Sequence, residues 1–538
     1  MIPDSIPATL SCDTLFHPFV GQDVPRLLKE RAEDRADHTF LIWAPFDGDV
    51  QRWTYGEFYR EVCRLAAGML AQGVDRGDMV LLHMENCPEF LLTWHACSRL
   101  GAIVVTTNTR SSEDEMQYFL EDCGATTAIA QPKFESLLRK AGPDLRWIAV
   151  TETDVGAVPE VPRSDEAIPF EDLRGDENDA PLLDAEPLAV NSIQYTSGTT
   201  SRPKGVLWTH ANALWGAQMN AHHTTLRPDD VGHVCLPLYH TNALCYSHLA
   251  TLWVGATMVL QPKFSASRYW SVCTEHHCTY GVQIPFMLFA LMKHPIPDRH
   301  DFRLWGLGAE NPGVIKDTFG ISCLGWFGMT ETISLPIISS VHMPGREMSM
   351  GRPAPEYGIQ VRREDGSPAD IGESGSLWIL GVPGLSLFAG YLHKPEATSE
   401  AFDADGWFET GDLVTPNDDG TITFNGRDRD TMRVGAENVA ESEVERVIQG
   451  VPVVTEVAVV GKPDPMLGDV PVAFIQIITP TPGIEDMVIS ACREKLADFK
   501  VPVEVRVVDD FPRVTLGKID KKLLRKQLAD AAESGSPS

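Results

Sequence analysis

Between Tyr195 and Gly205 the chain reads Tyr-Thr-Ser-Gly-Thr-Thr-Ser-Arg-Pro-Lys-Gly. Four hydroxyls, on Thr196, Ser197, Thr199 and Thr200, cluster around Gly198, where the backbone can approach a ligand closely, and Lys204 adds a positive charge. That is equipment for holding a polyphosphate. It is not the common phosphate loop of nucleotide hydrolases, because Gly-Lys-Ser/Thr is missing. On its own such a loop is more often a solvated turn. Two other runs invite chemistry and fall short of it. Gly306-Leu307-Gly308 begins like a dinucleotide fingerprint but lacks the third glycine, which argues against a dehydrogenase. Cys273, Glu275, His276, His277 and Cys278 could suggest a metal site, yet no second ligand pair stands at zinc spacing, so a plain helix surface is expected there.

The loop keeps company. Downstream come Gly308-Ala309-Glu310, then Phe327-Gly328-Met329-Thr330-Glu331, then Gly351-Arg-Pro353. After these stand Gly406-Trp-Phe-Glu-Thr-Gly-Asp412, Gly426-Arg427 and Pro512-Arg-Val-Thr-Leu-Gly-Lys518. Upstream stands Trp53-Thr-Tyr-Gly-Glu57. In kind and in order these motifs resemble the adenylate-forming superfamily, which includes acyl-CoA synthetases, peptide-synthetase adenylation domains and firefly luciferase. The resemblance covers nearly the whole chain. The stretches around Ser201, Gly328–Thr332 and Pro395–Asp412 look similar to bacterial carnitine/crotonobetaine-CoA ligases.

The resemblance implies a role for each motif. Thr196 to Thr200 and Lys204 would hold the phosphates of ATP. Gly308, Ala309 and Glu310 would lie along the adenine with Phe327 and Gly328, and Thr330 would contact the α-phosphate. Asp412 would accept both ribose hydroxyls, with Arg427 also reaching the ribose. Glu331, with Thr196, would hold Mg²⁺, a hard cation that prefers carboxylate and phosphate oxygens. Lys518 matches the catalytic lysine. Attack of a carboxylate on phosphorus brings two anions together, and a bridging ammonium is the direct electrostatic remedy. His240, in Leu236-Pro-Leu-Tyr-His240, matches an aromatic position between the acyl pocket and the thiol tunnel. Tyr239, Asn242, Gln283, Trp326 and Met329 are candidates to line that pocket. Arg429 falls at the hinge where relatives swivel the small domain, and Gly435, Ala436 and Glu437 border the coenzyme A tunnel. Three positions depart from the family pattern: Ser201 and Ala436 stand where glycine is usual, and Phe327 stands where tyrosine is.

The elements that must carry these residues are legible in outline. Phe58, Val62, Leu65 and Met69 recur at helical spacing over Glu57–Leu70, closed by Gly73. Met79–Leu82 and Gly101–Thr106 read as short buried strands. This alternation argues for an α/β sheet. Residues 156–187, rich in Pro, Asp and Glu, read as a long surface connection. After Asp430 the texture becomes α+β. A helix is expected over Glu441–Gln449, strands over Val457–Val460 and Ala473–Ile478, and a helix over Asp486–Ala497, before a basic tail. The expected architecture is a large α/β domain, residues 1–427, followed by a small mobile α+β domain, residues 428–538, as in adenylate-forming enzymes.

Composition sets the outer bounds. A chain of 538 residues exceeds one hydrophobic core. Acidic side chains outnumber basic ones 75 to 45, a net charge of -30 that repels nucleic acid and anionic membranes. The first residues lack the basic-then-apolar pattern of an export signal, and no apolar run is long enough to span a bilayer. With eleven scattered cysteines the chain suits a reducing cytoplasm. The expected partners are a small carboxylic acid, ATP and coenzyme A, with Mg²⁺ as cofactor and homodimer formation left open. Three rivals to an acyl-CoA ligase remain at this stage. One is a stand-alone adenylation enzyme loading a carrier protein, and another is a thioester-forming enzyme fed mainly with preformed acyl-AMP. The third is a protein that binds acyl adenylate without making it.

Overall fold

The computed structural model describes residues 16–196, 202–427, 431–435, 437–477, 479–513 and 519–534. The chain forms two compact units. The first holds residues 1–109, 119–195 and 205–426; the second holds 110–118, 196–204 and 427–538. The second unit therefore recruits two short segments far upstream of its main body, which the sequence did not announce.

In the first unit, helix Tyr55–Ala71 starts with a reciprocal cap: Thr54 Oγ1 accepts from the Glu57 amide and the Glu57 carboxylate accepts from the Thr54 amide. Its apolar stripe, including Phe58, Val62, Leu65 and Met69, is buried. Strand Met79–His83 follows. Gly101, read from sequence as the start of a strand, instead caps helix Pro88–Leu100 at φ 68°, and the strand begins at Ile103. Two sheets organise the unit. One has eight strands, with Met79–His83, Ile103–Thr106, Thr127–Ala130 and Trp147–Val150 parallel at its centre.

Among the described residues the second sheet has thirteen strands. Its parallel run places Ser322–Phe327, Leu304–Leu307, Tyr280–Val282, Val231–Val234, Thr257–Leu260 and Thr39–Trp43 side by side. Strand Thr39–Trp43 pairs with Thr257–Leu260, Leu41 opposite Met258, and Phe40 to Trp43 are all buried. Residues 156–187 are not merely a surface connection. They contain a two-residue strand, Ile168–Pro169, and a 3₁₀ turn whose Phe170 and Leu173 are buried in the core. Two apolar side chains three residues apart suffice to staple an otherwise polar segment.

Among its described residues the second unit carries a five-stranded sheet. Strands Val454–Asp464 and Gly468–Ile477 form its long antiparallel pair, flanked by Thr431–Val434, Glu437–Ala440 and a parallel Glu504–Val507. Helices Glu441–Gln449 and Ile484–Lys495 pack a core that includes Val444, Ile448, Val459, Ile475 and Val488. Among the described residues no helix is long and apolar enough to cross a membrane.

Candidate active site

Neighbouring parallel strands of the large sheet end at one edge, and the chemistry-bearing runs leave from that edge. Residues 308–310 follow Leu304–Leu307, residues 328–332 follow Ser322–Phe327, and residues 235–241 follow Val231–Val234. The carboxyl ends of parallel strands are where open α/β sheets bind ligands, because the loops there are free of the hydrogen-bond ladder.

The turn after Ser322–Phe327 is tightly held. Thr330–Thr332 make one 3₁₀ turn, and Thr332 Oγ1 accepts from the Met329 amide at 3.0 Å. Ile333 then takes φ 64°, ψ -53°, and the Ser334 amide donates to Thr332 O at 2.5 Å. A β-branched residue in this γ-turn is strained, and such strain persists only where surrounding contacts over-determine it. The contacts are present. Trp208 Nε1 donates to Thr330 O at 2.9 Å, and the Phe388 amide donates to Glu331 O at 2.9 Å. Tyr391 Oη donates to Glu331 Oε1 at 3.0 Å, and Glu331 is 5% exposed.

Thr330 meets Thr241, and Thr241 meets Gln194; sequence reasoning missed both. Thr241 Oγ1 lies 3.1 Å from Thr330 Oγ1 and 3.0 Å from Gln194 Oε1. With one proton to give, the Thr241 hydroxyl serves one acceptor at a time; when it donates to Gln194 Oε1, the Thr330 hydroxyl donates to Thr241. His240, the preceding residue, is half-buried beside the Tyr239 ring at 4.7 Å between centroids. Thr241 leads into a π-helical stretch, Asn242–Leu249, a rare backbone form that is frequent at functional sites. The only sequence signal for Thr241 was its adjacency to His240.

Along the neighbouring loop, Gly308 is exposed, Ala309 half-buried and Glu310 buried. The Glu310 carboxylate is already engaged, accepting from the Ser339 hydroxyl and from the Gly345 amide at 3.0 Å. Its amide and carbonyl join Ser349 O and the Met348 amide, so Glu310 shapes the loop through its own bonds. Phe327 is 9% exposed. Asp412, on strand Trp407–Pro416, is 1% exposed and follows Gly411 at φ 73°. Gln283 donates its amide to Tyr269 Oη at 2.6 Å, within an aromatic cluster that includes Trp270 and Trp305. Cys273 and Cys278 are buried in the core beside Tyr269, not on a helix surface as expected, while His277 is exposed and bonds Asp301. Among the described residues no group of three or more His, Cys, Asp or Glu side chains is placed to hold a metal ion.

In the second unit, Thr196 ends strand Val190–Thr196 and Lys204 begins strand Lys204–Thr209. Gly435, at φ 65°, turns the hairpin between Thr431–Val434 and Glu437–Ala440, and Glu437 is 9% exposed. Arg427 closes strand Ile422–Arg427. Ser197, Gly198, Thr199, Thr200, Ser201, Arg429, Ala436 and Lys518 lie outside the described residues.

The family model of the AMP-binding enzymes matches residues 28–392, and that of the AMP-binding enzyme C-terminal domain matches residues 443–518. This chain belongs to the AMP-binding enzyme family. A crotonobetaine/carnitine–CoA ligase of Salmonella arizonae is 33% identical to this AMP-binding enzyme over 519 residues, covering 94% of the chain and 99% of the relative. Among solved structures, a double variant of the o-succinylbenzoate CoA synthetase of Bacillus subtilis with its product analogue superposes at TM-score 0.79. It is 26% identical, with 95% of this chain and 99% of that one covered. ATP-bound MatB of Rhodopseudomonas palustris superposes at TM-score 0.67 and 26% identity, over 94% and 99% of the two chains. The MatB structure holds ATP, the Bacillus subtilis synthetase variant holds its product analogue OSB-NCoA, and another structure of that synthetase holds AMP.

Proposed function

We propose that this AMP-binding enzyme joins a small carboxylic acid to coenzyme A in the cytoplasm, through an enzyme-bound acyl adenylate. The protein is an AMP-forming acid–thiol ligase. In the first half-reaction a carboxylate oxygen attacks the α-phosphorus of ATP. The bond from that phosphorus to the bridging oxygen breaks, and pyrophosphate leaves. In the second, the coenzyme A sulfur, having lost its proton to water, bonds the acyl carbon, and the acyl C–O bond breaks to release AMP.

One observation carries the reading: Thr330, held by Trp208, with its hydroxyl beside Thr241, stands next to the buried Glu331 that Tyr391 orients. A preset hydroxyl donor lowers the barrier where phosphoryl oxygens gain charge. Glu331 and Thr196 are the residues that would hold Mg²⁺. Glu331 suits it, being a buried carboxylate fixed by a neighbouring hydroxyl, and the ion supplies charge neutralisation at the polyphosphate. Asp412 offers a buried carboxylate to the ribose hydroxyls, and Lys518 offers the ammonium that draws acid and phosphate together. His240 stands where the acyl group and the thiol meet. Gly435, Ala436 and Glu437 border the thiol's path, and Arg429 is the hinge between half-reactions.

The test is the purified enzyme with MgATP and a panel of acids that includes crotonobetaine and carnitine, the acids named in the relatives. Acid-dependent pyrophosphate release with a coenzyme A thioester detected by mass spectrometry is the expected outcome. Pyrophosphate without thioester, but with acylation of an added carrier protein, would replace the reading with that of a stand-alone adenylation enzyme. Thioester made only from supplied acyl-AMP would show that the first half-reaction is not the enzyme's own.

A further inference from the structure

No motif falls on residues 110–118, yet they belong to the second unit, far upstream of its main body. Ser112 opens helix Glu113–Cys123 with a reciprocal cap: its amide donates to the Glu115 carboxylate at 2.8 Å, and its Oγ accepts from the Glu115 amide at 3.2 Å. The same Oγ donates to Lys495 O at 2.7 Å, and Arg110 pairs with Asp498. Lys500 completes this seam. Its side chain is buried, with the ammonium bonded to Glu115 and also to Glu443 Oε1 at 2.9 Å. Burial opposes the charge on Lys500, but Glu443 and Glu115 outweigh it and hold its pKa above the usual value. A buried ion pair adds little to stability, and its best-attested use is to specify one arrangement over another.

Asp114 is the second half of the observation. Its carboxylate faces two guanidiniums, that of Arg202 at 3.2 Å and that of Arg446 at 3.9 Å. Tyr118 Oη donates to Pro203 O at 2.8 Å, and Arg202 lies 4.9 Å over the Tyr118 ring. Arg202 and Pro203 stand near the end of the phosphate loop. One helix start thus holds both that loop and helix Glu441–Gln449, which carries Glu443 and Arg446, and all of these residues lie within the second unit. The carboxylates of Asp114, Glu115 and Glu443 balance the cations of Arg202, Arg446 and Lys500. A polyphosphate in the loop would meet Asp114 and Glu115 as like charges and compete for Arg202, so the network suits the state after pyrophosphate has left. Helix Glu441–Gln449 also follows directly on strand Glu437–Ala440, whose hairpin borders the thiol's path in the functional reading above.

Resting on that reading, we infer that Asp114 and Glu115 are positioning residues for the transfer of the acyl group to coenzyme A. They act through Arg446 and Lys500, which fix helix Glu441–Gln449 and with it the hairpin turned by Gly435. Neither touches acid, nucleotide or thiol. Departure of pyrophosphate returns Arg202 to Asp114, so the network forms when the second half-reaction is due.

The experiment measures the two half-reactions separately by single turnover: pyrophosphate release from ATP and acid, and thioester formation from supplied acyl-AMP and coenzyme A. Crotonobetaine and butyrate, with their adenylates, are the probes. Asp114→Asn should lower thioester formation by about fivefold, the loss of half-exposed ion pairs, and leave pyrophosphate release near wild type. Asp114→Glu, which keeps the charge, should transfer the acyl group at close to the wild-type rate. Glu115→Gln keeps the helix cap, removes only the charge, and should lower thioester formation by at least about tenfold. Should Glu115→Gln fail to fold, the Asp114 variants decide alone. Asp114→Asn combined with Arg446→Gln should fall no further than the slower of the two single variants, the signature of residues acting through one another. Equal losses in both half-reactions, or additive losses in the double variant, give the pair a structural role and overturn the inference. Unchanged thioester formation in Asp114→Asn overturns it as well. A wild type that forms no thioester from either adenylate overturns the coenzyme A reading on which the inference rests.

Discussion

Chemistry at the residue scale divides into side chains recognisable by type and order, and side chains that matter only through where they are placed. Lys518 belongs to the first group. In the role proposed for it, its ammonium bridges acid and α-phosphate, acts on the charge of the first transition state and has little to do in the second. Lys518→Ala should therefore lower acid-dependent pyrophosphate release by at least about a hundredfold, while thioester formation from supplied acyl-AMP stays near wild type. Separate single-turnover measurements of the two half-reactions decide it, and an equal fall in both would give the lysine a structural role instead. Thr241, Gln194 and Tyr391 belong to the second group. Their types are ordinary, and their partners stand 89, 47 and 60 residues away in sequence. No local pattern marks such meetings, because they exist only after the strands have been set side by side.

At the scale of elements, the sequence marked what is buried and missed what continues past it. Helix Glu441–Gln449 was legible in full, because its apolar spacing and its acidic first turn coincide. The strands read as Val457–Val460 and Ala473–Ile478 extend over Val454–Asp464 and Gly468–Ile477, since Lys462, Pro463 and Asp464 pair without being apolar. The element that most affects the site is helix His210–His223. Its Asn212 is fully buried, accepts from the Thr209 amide at 3.0 Å, and donates to Leu385 O and Leu387 O at 2.8 Å each. The next residue, Phe388, holds the Glu331 carbonyl. Asn212→Ala would strand two buried main-chain groups, the Thr209 amide and Leu385 O, at about 1–3 kcal/mol each, while Leu387 O keeps the Gly384 amide. A urea midpoint well below wild type is expected, together with slower adenylation as Glu331 loosens. A midpoint unchanged within error would show that water or a shifted backbone replaces the amide.

For the whole molecule, the buried histidines set a pH limit on stability. Burial pushes the imidazoles of His83, His210 and His248 down to about 3 and that of His233 to about 4, and it holds His95 well below the usual value. His95 and His248 share one hydrogen bond, Nε2 to Nε2 at 2.9 Å, and neither Nδ1 has a partner among the described residues. The unfolded chain binds these protons below about pH 6.5 and the folded one does not until about pH 3–4, so stability falls as pH drops through that window. Each such group contributes a slope of about 1.4 kcal/mol per pH unit there. Melting temperatures at about pH 7 and about pH 5 should show the fall, and His248→Gln should flatten it; a melting temperature that holds or rises toward about pH 5 would contradict the assignment.

The pairing of Thr39–Trp43 with Thr257–Leu260 also has a consequence on the ribosome. The first strand emerges early, and its partner follows only after roughly 200 further residues, which at about 5–20 residues per second is roughly 10–40 s. Through that interval the apolar run Phe40-Leu41-Ile42-Trp43, which the finished enzyme buries, can pair on one edge with Gln51–Thr54, while its other edge stays open to the same run on another nascent chain. The hazard in making this enzyme thus lies in the order of synthesis, and a chaperone that covers the first strand would relieve it without touching the native state.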